Sequence, residues 1–193
     1  IPKIEFKRED LYKLWVKTRS LGWKLRGVDE PLMELEKAGF NALYAYRFDW
    51  DDQVSSYFAD FPNLIGAAHG FEISFITGDF KFGPIGRFVY PKGELRDQMK
   101  KTMMQAWASF AKTGIPNTGK NQQWKKFNSK DRFFMKLDTD KHLSLDKEML
   151  SLEFITGNVR LSPEGTLLEK CLLVQETFFN IGDYLEDEFM KWN

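Results

Sequence analysis

The chain has 193 residues and balances 28 Lys+Arg against 28 Asp+Glu, so it carries neither the basic field that nucleic acid demands nor a net charge drawing it to an anionic membrane. No apolar run approaches the roughly 18 residues of a membrane-spanning helix. With 42% hydrophobic and 16% aromatic residues, including 18 Phe and 6 Trp, the chain can bury a large aromatic core.

Residues 9–24 place Leu11, Leu14, Trp15, Thr18 and Leu21 at helical spacing and predict an amphipathic helix. Asp29 is the expected N-cap of a second helix, with Leu32, Met33 and Leu35 facing inward and Gly39 as its stop. Ala42–Phe48 is short and aromatic, and Asp49-Trp50-Asp51-Asp52 follows it, which predicts a buried strand. Residues 53–93 hold many of the Gly and Pro residues and little periodicity, as in a long functional loop with short helical pieces. Residues 94–113 then give the clearest helix. Leu95, Met99, Met103, Ala106, Trp107 and Phe110 form a core-facing stripe, and Gly114 and Pro116 end it. A strand near the sheet edge is expected over Phe133–Leu137. Ser162-Pro163 reads as the N-cap and first turn of another long helix, with Leu167, Cys171, Val174 and Phe178 inward, running to about Ile181. The tail from Asp183 to Asn193 suits a short closing helix. No repeat, low-complexity tract or linker interrupts this alternation, so the fold class is α/β within one layered domain, 1–193.

Two histidines occur, and His69 is the candidate for chemistry. It lies in Gly66-Ala67-Ala68-His69-Gly70-Phe71-Glu72, where small neighbours let the backbone turn sharply and another molecule approach. An imidazole on such a turn suits proton transfer near neutral pH. His142 sits in a polar stretch and reads as an exposed loop residue. Cys171 is the sole cysteine, set among Leu167, Leu168, Leu172 and Val174, and reads as a buried, inert thiol. No Cys/His spacing suggests a metal site, and no motif calls for a cofactor.

The histidine run resembles the signature of the type-B carboxylesterase/lipase family, the cholinesterase-like branch of the α/β hydrolases. His69-Gly70-Phe71-Glu72 and Phe75-Ile76-Thr77-Gly78 match its His-Gly-x-Glu element and the aromatic stretch after it. Trp107-Ala108-Ser109-Phe110-Ala111-Lys112-Thr113-Gly114-Ile115-Pro116-Asn117 is similar to the family's Trp-x-x-Phe-Ala-x-x-Gly-x-Pro helix end. Ala42–Phe48 resembles the aromatic strand feeding the histidine loop, and Trp124 before Phe133–Leu137 is a further match. These motifs stand in family order over roughly residues 40–140.

The resemblance implies the C-terminal part of an α/β-hydrolase fold, with a central, mostly parallel sheet flanked by helices. It implies a serine carboxylic-ester hydrolase with His69 as general base. In such enzymes the serine sits in a Gly-x-Ser-x-Gly elbow, and serine and acid precede the histidine. No such pentapeptide occurs in these residues, nor does the family's oxyanion-hole glycine run, and the chain begins with Ile1. The nucleophile-bearing N-terminal portion is therefore expected on an upstream segment of the same enzyme, and this chain alone should be inactive. Glu72 has two readings, the triad acid or a carboxylate that positions the histidine loop. The second is preferred, because the family supplies its acid from upstream. Where cholinesterases often carry Trp and Tyr, this chain has Leu64 and Phe71, which points to uncharged ester substrates. Animal secreted members carry a disulfide in this region, which the lone Cys171 cannot form internally. Two other readings remain: a catalytically inactive, adhesion-type member of the family, and a small free-standing domain that binds another protein.

Overall fold

In the computed structural model, which describes residues 3–179 and 185–192, three strands form one mixed sheet in the order β1-β2-β3: β1 (Tyr46–Phe48), β2 (Phe133–Leu137) and β3 (Ser144–Lys147). β1 runs parallel to β2, pairing Tyr46 with Met135 and Phe48 with Leu137, while β2 and β3 are antiparallel. The sheet of these residues is thus mixed rather than mostly parallel. The chain divides into two compact units. One is Phe40–Lys147 with the stretch before Phe6; the other combines Phe6–Gly39 with Glu148–Asn193.

Among the described residues the first unit contains the sheet and four α-helices, α3 (Phe61–Leu64), α4 (Glu72–Thr77), α5 (Gly86–Val89) and α6 (Glu94–Thr113), with a 3-10 turn at Gly83–Ile85 before α5. α6 matches its predicted limits. Glu94 and Asp97 lie in its first turn and Lys112 in its last, each favourable to the helix dipole. Gly114 takes the left-handed conformation (φ +72°) and returns its N–H to the Phe110 carbonyl at 2.8 Å. Its buried stripe is narrower than expected: Met99, Met103 and Ala106 are fully buried, whereas Leu95 and Phe110 are each 46% exposed. The strand expected over Ala42–Phe48 contributes only three residues to the ladder. Its earlier carbonyls are used otherwise, Leu43 by the Phe127 N–H and Ala45 by both the Met135 N–H and the Trp124 indole.

β2 is the middle strand of the three, one strand in from β3, and it covers the expected span Phe133–Leu137. Phe134, Met135 and Leu137 are all buried, the pattern of a strand covered on both faces. β3 was not predicted, because Ser144-Leu145-Asp146-Lys147 offers one apolar residue and strand-averse charges; pairing with β2 supplies what propensity lacks.

In the second unit, α1 (Glu9–Lys24) passes through a π-helical turn, Leu25–Asp29, directly into α2 (Glu30–Lys37). Pro31 has no N–H to donate back along the helix, and the Glu30 N–H reaches five residues to the Leu25 carbonyl. Asp29 is therefore not an N-cap. It sits in helical conformation, 1% exposed, with its carboxylate on Lys24 Nζ at 2.9 Å. Gly39 does follow the helix end with φ +92°, but Leu35 is exposed rather than inward. α1 packs against α7 (Leu152–Leu161) and α8 (Leu167–Phe179). Gly22 permits this approach, since a Cβ there would stand 3.2 Å from Thr177 and 3.3 Å from Phe178.

α7 was not predicted. Ser151 caps it, accepting the Phe154 N–H at 3.1 Å. Ser162 ends α7 instead of starting α8, because the residue before Pro163 is pushed to extended backbone, here ψ 141°. The true start of α8 is a capping box. Thr166 N–H donates to Glu169 at 2.7 Å, and Glu169 N–H donates to the Thr166 hydroxyl at 3.3 Å. Of the expected inward residues of α8, Val174 and Phe178 are buried and Cys171 is half-buried, but Leu167 is exposed. Lys170 is buried in its place and donates to the Arg160 carbonyl at 3.1 Å and to that of Ser162, covering the open end of α7. The expected end near Ile181 lies outside the described residues; α9 (Glu186–Met190) is the closing helix.

Glu188 of α9 gives the second unit a pH-dependent contact. Burial raises its carboxyl pKa, but hydrogen bonds from Lys191 Nζ and the Thr156 hydroxyl, both at 2.8 Å, outweigh that and hold it below its ordinary value. A carboxyl depressed on folding adds stability above its unfolded pKa, and that contribution vanishes as pH falls through the folded value. Glu188→Gln should cost about 1–2 kcal/mol at pH 7, as for hydrogen bonds to a charged group. Denaturant midpoints should converge on the parent's below roughly pH 4; a gap unchanged down to pH 2 would exclude this role.

Candidate functional site

The histidine loop is built between two short helices. Asp60 caps α3 by accepting the Asn63 N–H, and the chain leaves α3 at Ile65. Gly66 then adopts φ +56° and Gly70 φ +88°, so both glycines flanking His69 stand in the left-handed region that disfavours other residues. Between them the Ala68 N–H donates to the Gly66 carbonyl at 2.9 Å, and the Phe71 N–H to the Ala68 carbonyl at 3.2 Å. His69 is exposed at the crest of this double turn. Sharp turning around the histidine was the sequence expectation, and the two glycine conformations bear it out.

Beneath the loop lies an aromatic bed. The Tyr90 hydroxyl donates to the Phe71 carbonyl at 3.2 Å, two residues after His69. The Tyr90 ring also meets Phe71 edge-on at 5.7 Å and Trp50 stacked at 6.0 Å. Phe75, buried from α4, packs on Trp50 at 4.8 Å. Rings offset or edge-on in this way add attraction beyond their buried area. Gln53, 6% exposed, donates its side-chain amide to the Gly66 carbonyl at 2.8 Å. Neither Gln53 nor Tyr90 was singled out from sequence. A lone polar or aromatic residue in an aperiodic loop carries no local signal, and only tertiary folding brings either one to the histidine run.

Glu72 is half-buried and opens α4, where a carboxylate suits the helix dipole. Its charge is felt by two phenols. Burial and then Glu72 raise the Tyr46 hydroxyl pKa; at Tyr90 burial also leads, a hydrogen bond with Ser74 opposes it, and Glu72 adds to the rise. Both tyrosines therefore stay protonated, as hydrogen-bond donors, through the neutral range. His142 lies exposed in the turn before β3, its N–H on the Thr139 carbonyl at 2.8 Å. It is close enough to Asp52 to lower that carboxyl's pKa, against the larger upward pushes of burial, Asp138 and Asp51. Among the described residues no group of three or more His, Cys, Asp or Glu could hold a metal ion, and no helix is long and apolar enough to cross a membrane.

The carboxylesterase family profile matches residues 30–154, which contain the whole histidine loop, α6 and the sheet. This chain belongs to the carboxylesterase family. The resemblance drawn from His69-Gly70-Phe71-Glu72 and the Trp107–Asn117 run thus holds at family level. Among curated proteins, it is 36% identical to mouse (Mus musculus) cholinesterase over 83 residues, 42% of this chain and 13% of that protein. It is 39% identical to bovine (Bos taurus) carboxylesterase 4A over 80 residues, 40% of this chain and 13% of the relative. Against acetylcholinesterase of Electrophorus electricus the similarity reaches 90% of this chain at 27% identity, but 25% of that enzyme. The chain therefore spans about an eighth to a quarter of the length of these relatives. Membership in the carboxylesterase family implies the α/β-hydrolase fold, of which the described residues contribute the small mixed sheet and the helices around it.

Proposed function

We propose that this chain is the histidine-bearing, C-terminal portion of a single α/β-hydrolase domain in a serine carboxylesterase, acting on uncharged esters. The observation that carries the reading is an exposed imidazole on a loop with both flanking glycines in left-handed backbone, braced from below by Tyr90. General-base catalysis needs this combination of access and fixed position.

In the reaction, a serine hydroxyl from the upstream segment attacks the ester carbonyl and gives its proton to His69. His69 passes that proton to the departing alcohol, leaving an acyl-enzyme. Water then attacks the acyl carbon, losing a proton to His69, and the serine leaves with that proton as the carboxylic acid forms. Small residues beside the imidazole leave it room to reach nucleophile and leaving group. The Phe71 side chain turns into the Tyr90 and Phe82 rings, at 5.7 and 5.3 Å, which supports an apolar surround for the substrate.

Because these 193 residues contain no Gly-x-Ser-x-Gly elbow, the chain alone should turn over esters no faster than free imidazole. The intact protein should hydrolyse short-chain p-nitrophenyl esters and label with a fluorophosphonate probe. Intact protein that neither labels nor hydrolyses, yet captures a protein partner, would favour the adhesion-type reading instead.

Glu72 acts in this scheme as the carboxylate that positions the histidine loop. Glu72→Gln should then lower kcat by roughly 10–100-fold, the usual cost of removing a supporting partner. A loss matching that of His69→Ala would make Glu72 the triad acid.

A further inference from the structure

Gln53 and the carbonyl of Gly66 form a contact with no counterpart in the histidine motif. Nε2 of Gln53 donates to that carbonyl at 2.8 Å, while Oε1 is buried without a partner among the described residues. The carbonyl can only accept, which sets the orientation of the amide. Gln53 is thus oriented by the loop, at the expense of leaving its own acceptor unused, an arrangement that apolar packing alone would not favour.

The base of Gln53 is itself fixed, since the next residue, Val54, donates its N–H to the Phe88 carbonyl of α5 at 2.9 Å. Tyr90 follows α5 and reaches the Phe71 carbonyl. Two side chains held by the same short helix therefore grip the histidine run on either side, Gln53 at the Gly66 carbonyl three residues before His69 and Tyr90 at the Phe71 carbonyl two residues after it.

We propose that Gln53 is a positioning residue for ester hydrolysis, its amide and the Tyr90 hydroxyl clamping the backbone at Gly66 and Phe71 so that His69 is held for proton transfer. This rests on the assignment of His69 as general base. A general base displaced by about an ångström loses on the order of 100-fold in rate while substrate binding is spared.

The test uses the intact esterase and three variants: Gln53→Met, which keeps the side-chain length but removes the donor; Tyr90→Phe, which removes only the hydroxyl; and His69→Ala. Rates are normalised to sites titrated with fluorophosphonate, except in His69→Ala, where protein concentration is used. Gln53→Met and Tyr90→Phe should each lower kcat by about 10–100-fold, with KM within about twofold and a displaced basic limb in the pH profile of kcat/KM. A Gln53→Met enzyme with a lower melting temperature but parental kcat per titrated site and an unmoved pH profile would show a purely structural role and overturn the proposal. Should His69→Ala keep its activity, the underlying assignment fails. Should it be inactive while Gln53→Met turns over at the parental rate, only the clamp fails.

Discussion

Replacing His69 with Ala in the intact esterase should lower kcat by about four orders of magnitude, with little change in KM. A serine hydroxyl is almost wholly protonated at neutral pH, so its attack on an ester depends on a neighbouring base taking the proton as the C–O bond forms. Without the imidazole, the leaving alcohol also loses its proton donor, and water attacking the acyl-enzyme loses its base. In the proposed mechanism one residue serves all these steps, so its removal should cost far more than that of any supporting contact. His69 is exposed and its loop is held at Gly66 and Phe71 through backbone carbonyls, so the variant should fold as the parent does. Steady-state hydrolysis of a p-nitrophenyl ester checks this directly. Retention of more than about a tenth of the activity, well above what loss of a general base permits, would sink the assignment.

Trp50→Ala should have the largest effect on stability, roughly 3–5 kcal/mol, the range for truncating a buried aromatic. Trp50 is fully buried, packed on Phe75 at 4.8 Å and stacked with Tyr90 at 6.0 Å. Its removal leaves a void under the ring whose hydroxyl supports the histidine loop, so surviving folded enzyme should also turn over more slowly. Trp50→Phe should recover much of the stability, because the indole Nε1 has no partner among the described residues to lose. Denaturant unfolding measures both variants. A cost below about 1 kcal/mol for the alanine variant would mean that the site collapses around the void and that Trp50 is not a support of this core.

α6 was legible to its ends, since a 3.6-residue apolar period, acidic first turn and Gly114 stop are all local signals. Asp29 misled because an acidic residue before an apolar run has the composition of an N-cap whether the chain is starting a helix or already inside one. Its burial against Lys24 belongs to the tertiary structure. The start of α8 was expected too early, at Ser162-Pro163; the capping box Thr166-x-x-Glu169 stands in the sequence and is where the helix begins. β3 was not legible, because its stability comes from β2 beside it rather than from its own residues.

The sequence alone carried the family, the sharp turn at the histidine and the long helix, each written in residues adjacent along the chain: His69 between glycines, the Trp107–Asn117 helix end, the methionine stripe. It took the folded chain to show that β3 pairs with β2, that Asp29 is a buried ion-pair partner, and that Gln53 and Tyr90 grip the two sides of the histidine run. The physical reason is range. Turn geometry and helix capping depend on neighbours a few residues apart, whereas burial, strand order and side-chain-to-carbonyl hydrogen bonds depend on segments that meet only once the chain has folded.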